Sequence, residues 1–197
     1  MRIDLHTHSS ASDGTERPAE VVAQAARAGL DVLALTDHDT TAGWDEAAAA
    51  AREHGVALVR GTEISARTAG MSVHVLSYLH DPEHAGLAAE LARAREARGS
   101  RARRIVALLH GDFGLTWEEV EAQVEPGAVI GRPHIADALV ARGVVPSRDA
   151  AFADLLHHGS KYYVTHYAPD VLDAVMLIRE AGGVAVFAHP GADGRGR

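Results

Sequence analysis

Asp31-Val32-Leu33-Ala34-Leu35-Thr36 is a short run that is apolar on both faces of an extended backbone, and it empties into Asp37-His38-Asp39-Thr40. A strand with no polar face is the strand of a parallel sheet covered on both sides, so this run predicts an α/β fold. Its flanks agree. Upstream, Pro18 opens a helical stretch whose apolar positions Val21, Val22, Ala25, Ala26 and Leu30 lead past Gly29. Downstream, Gly43 to His54 reads as an Ala-rich helix closed by Gly55, followed by a strand, Val56-Ala57-Leu58-Val59, that leads to Gly61-Thr62-Glu63-Ile64-Ser65. Alternation at this spacing predicts right-handed βαβ units, with functional groups at the carboxyl ends of the strands.

The N-terminal stretch Arg2-Ile3-Asp4-Leu5-His6-Thr7-His8 alternates, then breaks into Ser9-Ser10-Ala11-Ser12-Asp13-Gly14. It reads as a strand opening into a loop. His6 and His8, two apart, point to one face of an extended backbone, where the loop can return Asp13 to them. Neutral imidazole and carboxylate are ligands for borderline divalent ions such as zinc, manganese and iron. Two polar residues facing water would explain an isolated His-x-His equally well. What weighs against that is recurrence: His38, Glu63, His74 on an expected strand from Met71 to Leu79, and His189 after the strand Gly183 to Ala188 also fall where strands carry functional groups. His54, His80, His84, His110, His157, His158 and His166 are expected in solvent or in satisfied core positions. Asp37 and Asp39 read as partners that orient His38, or as loop formers.

The chain has 197 residues, 47% hydrophobic and 23% charged, enough for a well-buried core. It has no cysteine, which excludes disulfides, thiolate zinc sites and a cysteine nucleophile and leaves His, Asp and Glu for metal chemistry. No apolar run approaches the roughly 20 residues that span a bilayer and no signal segment opens the chain, so the expectation is a soluble cytoplasmic protein. The net charge of −8 argues against stable binding of duplex DNA, though a metal cluster can reverse the local sign for a short nucleotide. From His84 to His158 helical texture dominates, which predicts a helical insertion lobe (84–158) within an α/β domain built from 1–83 and 159–197. Beyond the lobe a strand is expected at Tyr162-Tyr163-Val164 and a helix at 170–181.

HTHSSASDG (6–14), LTDHDT (35–40), GTEIS (61–65), the lone His74 and AHP (188–190) together resemble the PHP (polymerase and histidinol phosphatase) domain. With Gly131-Arg132-Pro133-His134 in a helical insertion, the order of motifs is similar to the branch of nucleoside 3′,5′-bisphosphate phosphatases and 5′→3′ exoribonucleases. The resemblance implies a distorted seven-stranded β/α barrel and three divalent ions, manganese first, with zinc or iron as alternatives. It implies His6 and His8 on the first ion, Glu63 bridging to a second held also by His74 and His189, and Asp13 and His38 on the third. All seven residues would act catalytically through the metals. The family pattern also calls for an Asp-x-His near the C-terminus. Asp193-Gly194-Arg195 carries arginine instead, so the expectation is a barrel lacking its C-terminal strands.

Clustered divalent ions suit phosphate ester hydrolysis by activated water. Arg132 and His134 are candidates for holding a second phosphate, a role the resemblance favours over a plain helix start, and Lys161 could reach one as well. The function expected is a metal-dependent phosphoesterase acting on a 3′,5′-bisphosphate nucleotide or an RNA 5′ end. The alternatives are a phosphatase of another small metabolite, such as histidinol phosphate or AMP, and a metal-binding but inactive module. A polymerase proofreading domain is disfavoured by the helical insertion.

Overall fold

The computed structural model describes residues 1–190. It divides into two units, residues 1–94 with the described residues from 168 onward, and residues 95–167.

The first unit holds a sheet in the order β1 (Ile3–Thr7), β2 (Val32–Leu35), β3 (Ala57–Thr68), β4 (Met71–Tyr78), β5 (Val184–Phe187). β1, β2 and β3 are parallel, as the apolar run at 32–35 requires: Leu33, Ala34 and Leu35 are all buried. The crossover helices α1 (Pro18–Arg27) and α2 (Trp44–His54) cover one face through Val22, Ala25, Ala47 and Ala50. α2 stops at Gly55, whose φ of 70° supplies the left-handed cap. On that same face β3 and β4 are covered by α7 (Val171–Glu180) and by the first turns of α3 (Ala85–Phe113), through Ala174, Ile178, Leu87 and Leu91.

The structure departs from the expected parallel sheet after Ile64. β3 does not end at the Gly61 to Ser65 motif but runs on to Thr68, turns through Ala69 and Gly70 (φ 45° and 79°), and returns as β4, antiparallel to it. β5 is antiparallel to β4 and so points the same way as β1 to β3. The sheet is strongly curved. The Tyr78 hydroxyl on β4 donates to the Leu5 carbonyl on β1 at 2.7 Å, across two intervening strands. Ala34, Leu76, Tyr78 and Ala188 pack inside this curve. The architecture is mixed α/β, and in place of seven strands in a barrel the described residues form five in an open sheet with edges at β1 and β5. Ile3, Leu5, Val184, Val186 and Phe187 on those edges are exposed.

The second unit is helical: the rest of α3, then α4 (Trp117–Glu121), α5 (Arg132–Ala141) and α6 (Arg148–Asp154) around Ile105, Leu109, Leu115, Ile135, Leu139 and Leu156. Tyr162-Tyr163-Val164 is not a strand. Tyr162 and Val164 are instead buried in this helical core, so the apolar alternation that suggested β structure serves packing of an irregular segment.

Candidate metal centre

One buried carboxylate organises the concave end of the sheet. Glu63, 1% exposed, lies within β3, with its Oε2 2.9 Å from Nε2 of both His6 and His8. Its Oε1 lies 2.6 Å from His74 Nδ1 and 2.9 Å from His189 Nε2. His38 follows β2 and puts Nδ1 3.6 Å from Oε2. His6 and His8 share a face, as their spacing demands, with their Nε2 atoms 3.1 Å apart. Asp13 returns on its loop to within 3.1 Å of His8 Nδ1 and 3.5 Å of His38 Nε2. All seven residues singled out as metal-type ligands are therefore in one neighbourhood. Five of them sit at or just beyond the ends of β1, β2 and β5, while Glu63 and His74 lie inside strands because the β3–β4 hairpin extends past the others.

The loop that carries His8 and Asp13 is held by short-range packing and by Asp37. At Gly14 the chain folds back on His8, and a Cβ there would stand 2.5 Å from the His8 carbonyl oxygen. Only glycine fits. The buried Asp37 carboxylate accepts from Ser9 N at 2.7 Å, Ser9 Oγ at 2.6 Å and Ser12 Oγ at 2.6 Å. Asp39, whose φ is 54°, accepts from Ser65 N at 3.0 Å and Ser65 Oγ at 3.1 Å. The two acids that flank His38 thus grip the loop that follows β1 and the middle of β3. Ser9, Ser12 and Ser65 stand inside the quoted motifs HTHSSASDG and GTEIS, but sequence alone gave them no role. Their signal was small hydroxyl residues one or two places from candidate ligands.

The electrostatics follow from the packing. Burial works against a charge on Glu63, yet the His6, His74 and His8 imidazoles outweigh it and hold the carboxyl far below the usual carboxylate range. Burial alone would lower His8, but hydrogen bonds to Asp13 and Glu63 prevail and push it up to about 10. For Asp37, burial wins over its three donors and raises the carboxyl. The centre thus has a strong demand for positive charge.

A divalent ion meets that demand. The donors are imidazole nitrogen and carboxylate oxygen, the set that zinc, manganese and iron accept. Two triads, His6–Glu63–His189 and His8–His38–Glu63, each bring their ligand atoms within 4.8 Å of one another. Ligands about 2.0–2.1 Å from a tetrahedral ion are about 3.3 Å from each other, so the 3.1 Å gap between the His6 and His8 Nε2 atoms is the edge of a coordination shell as readily as a hydrogen bond.

The substrate candidates lie in the second unit. Arg132 Nη1 donates to the Leu156 carbonyl at 3.0 Å and its guanidinium lies over the Phe152 ring. His134 is buried, and its Nδ1 accepts from Gly131 N at 3.1 Å, capping α5. Lys161 is exposed and pairs with Asp112 at 2.8 Å. His80, expected in the core or in solvent, is buried beside Trp44 with Nδ1 2.7 Å from Ser77 Oγ. The Asp-x-His position at Asp193 to Arg195 lies outside the described residues. No helix among the described residues is long and apolar enough to cross a membrane.

Residues 4–124 match the model of the PHP domain. Over 99% of the chain the sequence is 40% identical to a 3′,5′-nucleoside bisphosphate phosphatase of Chromobacterium violaceum, of which it covers 69%. Over 96% it is 38% identical to a 5′-3′ exoribonuclease of Haemophilus influenzae, again covering 69%. A solved structure from Bifidobacterium adolescentis, provisionally assigned as a metal-dependent phosphoesterase, superposes with a TM-score of 0.96 at 46% identity, over 99% of this chain and 69% of that one.

Proposed function

The chain belongs to the PHP domain family, and from that premise we propose that this phosphoesterase hydrolyses a small nucleotide, either a 3′,5′-bisphosphate nucleotide or the 5′ end of an RNA. The observation that carries the reading is the convergence of His6, His8, His38, His74 and His189 on the Glu63 carboxylate. Divalent ions bound there would lower the pKa of water, neutralise phosphoryl oxygens and align the attacking and leaving groups. The proposal comprises three ions, manganese foremost: His6 and His8 on one, His74 and His189 on another with Glu63 between them, and Asp13 and His38 on the third. The chain's own contribution is position and charge. Glu63 keeps its negative charge at any physiological pH, and its two oxygens face separate pairs of imidazoles. Asp37 and the close turn at Gly14 hold the His8 backbone in place.

Arg132 fits a phosphate-binding role in this reading, since a guanidinium offers five donors in a fork matched to phosphate oxygens. His134 would support it by fixing the start of α5, and Lys161 would contribute charge. The proposal extends to a helical insertion spanning 84–158, a seven-stranded barrel using the open edges of β1 and β5, and a cytoplasmic location suited to nucleotide substrates.

The test is phosphate release from a panel of nucleoside bisphosphates, monophosphates and 5′-phosphorylated oligoribonucleotides, using protein stripped with chelator and then given manganese. Release restored by manganese and confined to substrates with a 3′-phosphate or 3′-linked nucleotide supports the reading. Equal release from histidinol phosphate or AMP would redirect it to another small metabolite. The Arg132→Ala variant, losing bisphosphate and monophosphate hydrolysis equally, would remove the second-phosphate role.

A further inference from the structure

We infer that Asp37 is a positioning residue for His8, Asp13 and His38, which the proposal above divides between two of the three ions, and that it acts by fixing the loop from Ser9 to Ser12. The inference rests on the metal-binding reading above. Asp37 is 2% exposed, and its partners Ser9 and Ser12 are both fully buried, so water cannot replace the bonds between them. Each group facing the carboxylate is a donor. Oδ1 takes Ser9 N at 2.7 Å and Ser12 Oγ at 2.6 Å, and Oδ2 takes Ser9 Oγ at 2.6 Å. The Ser9 hydroxyl oxygen also accepts from Ala11 N at 3.2 Å, which leaves its proton directed at Asp37.

Ser12 links this arrangement to the ligands. While donating to Asp37, its oxygen lies 3.4 Å from His8 Nδ1 and 3.4 Å from Asp13 Oδ1. A shift of Ser12 therefore moves the two ligands its loop supplies. His38 is joined to Asp37 directly through the backbone. By contrast, His6 lies on β1 between Asp4 and Thr7, which both pair with β2, while His74 and Glu63 are paired within the β3–β4 ladder. Those residues do not depend on the Ser9–Ser12 loop. Replacement of Asp37 by Asn keeps the shape but removes the charge, and its NH2 can face only a serine hydroxyl that turns its proton away, so charge-assisted bonds become weaker neutral ones and the loop loses its firm anchor.

The experiment titrates metal-free protein with Mn²⁺ by calorimetry for wild type, Asp37→Asn, Ser12→Ala and the double variant, with circular dichroism melts of each. In Asp37→Asn the binding that uses His8, Asp13 and His38 weakens by about 10–100-fold, the scale typical for partners that orient metal ligands, while the event at His74 and His189 keeps its affinity. Ser12→Ala weakens the same events to a smaller degree, and the double variant loses less than the sum of the two, because both variants weaken the Ser12–Asp37 bond. Unchanged binding in Asp37→Asn, uniform weakening of every event, or additive losses would each overturn the inference. Should Asp37→Asn not fold, Ser12→Ala decides: loss that spares one event supports the role, and loss of all or none refutes it. A wild-type protein that takes up no Mn²⁺ overturns the metal reading itself, and this inference with it.

Discussion

Replacing Glu63 by Gln changes almost nothing in shape and removes the charge on which both halves of the centre converge. In the native chain Oε2 serves His6 and His8, each at 2.9 Å, and Oε1 serves His74 at 2.6 Å and His189 at 2.9 Å. Glutamine offers one oxygen, so one pair of imidazoles faces an amide NH2 instead of an acceptor. Bonds to a charged group are worth about 1.5–3 kcal/mol each, and losing two of them costs about 3–6 kcal/mol. Glu63 belongs to both ligand triads, so the loss falls on both. At 1.4 kcal/mol per tenfold, Mn²⁺ affinity should fall by about 100-fold or more at the binding events that use Glu63, those at His6–His8 and at His74–His189. Chelator competition against metal-free protein measures this, with thermal melts to confirm that the variant is folded. A folded variant that binds within about threefold of wild type would refute the reasoning, since Glu63 would then be a pin for the imidazoles rather than a ligand.

The remaining expectations concern pH, backbone and core. His8 is raised from 6.5 to about 10, so the stability it contributes to metal-free protein is present below 6.5 and is lost as pH rises through 10; Glu63 is depressed, so its contribution is present above 4.5 and declines only in acid. Melting of metal-free protein should therefore decline between pH 6.5 and 10, and a melting temperature that rises over that interval would contradict the electrostatics. Gly14→Ala forces a Cβ to 2.5 Å from the His8 carbonyl, so calorimetric titration should show Mn²⁺ affinity down by roughly tenfold or more, and native affinity would mean that the turn does not place His8. Leu35→Ala in β2 empties a fully buried position against Val22 and Ala47 and should cost about 2–5 kcal/mol in urea unfolding; a loss under about 1 kcal/mol would show that this cluster is not a core.

Parts of this structure can be read directly from residues, and the reasons differ. The β1–α1–β2–α2–β3 alternation is legible because Val32 to Leu35 has no polar face and because Pro18 and Gly55 mark helix ends with local chemistry. The seven ligand-type residues are legible because histidines and acids recur along successive strands, although Glu63 and His74 lie inside β3 and β4 rather than at the expected strand ends. The β3–β4 hairpin is hidden: Arg67, Thr68 and Ala69 look like a loop, and Ala-Gly is a weaker turn signal than Asn-Gly. Tyr162 to Val164 misleads in the opposite sense, since β-prone residues also fill a helical core. Asp37 shows the limit most clearly. Its place beside His38 is plain in the sequence, but only the fold reveals that its carboxylate faces Ser9 and Ser12, residues 28 and 25 positions away.

The most direct test of the central claim is anomalous X-ray scattering at the manganese edge from crystals of the protein grown with Mn²⁺. The account predicts peaks flanking the Glu63 carboxylate, at coordination distance from its oxygens and from the imidazoles of His6, His8, His38, His74 and His189. Peaks elsewhere, or a Glu63 that touches only protonated imidazoles at full manganese loading, would contradict it.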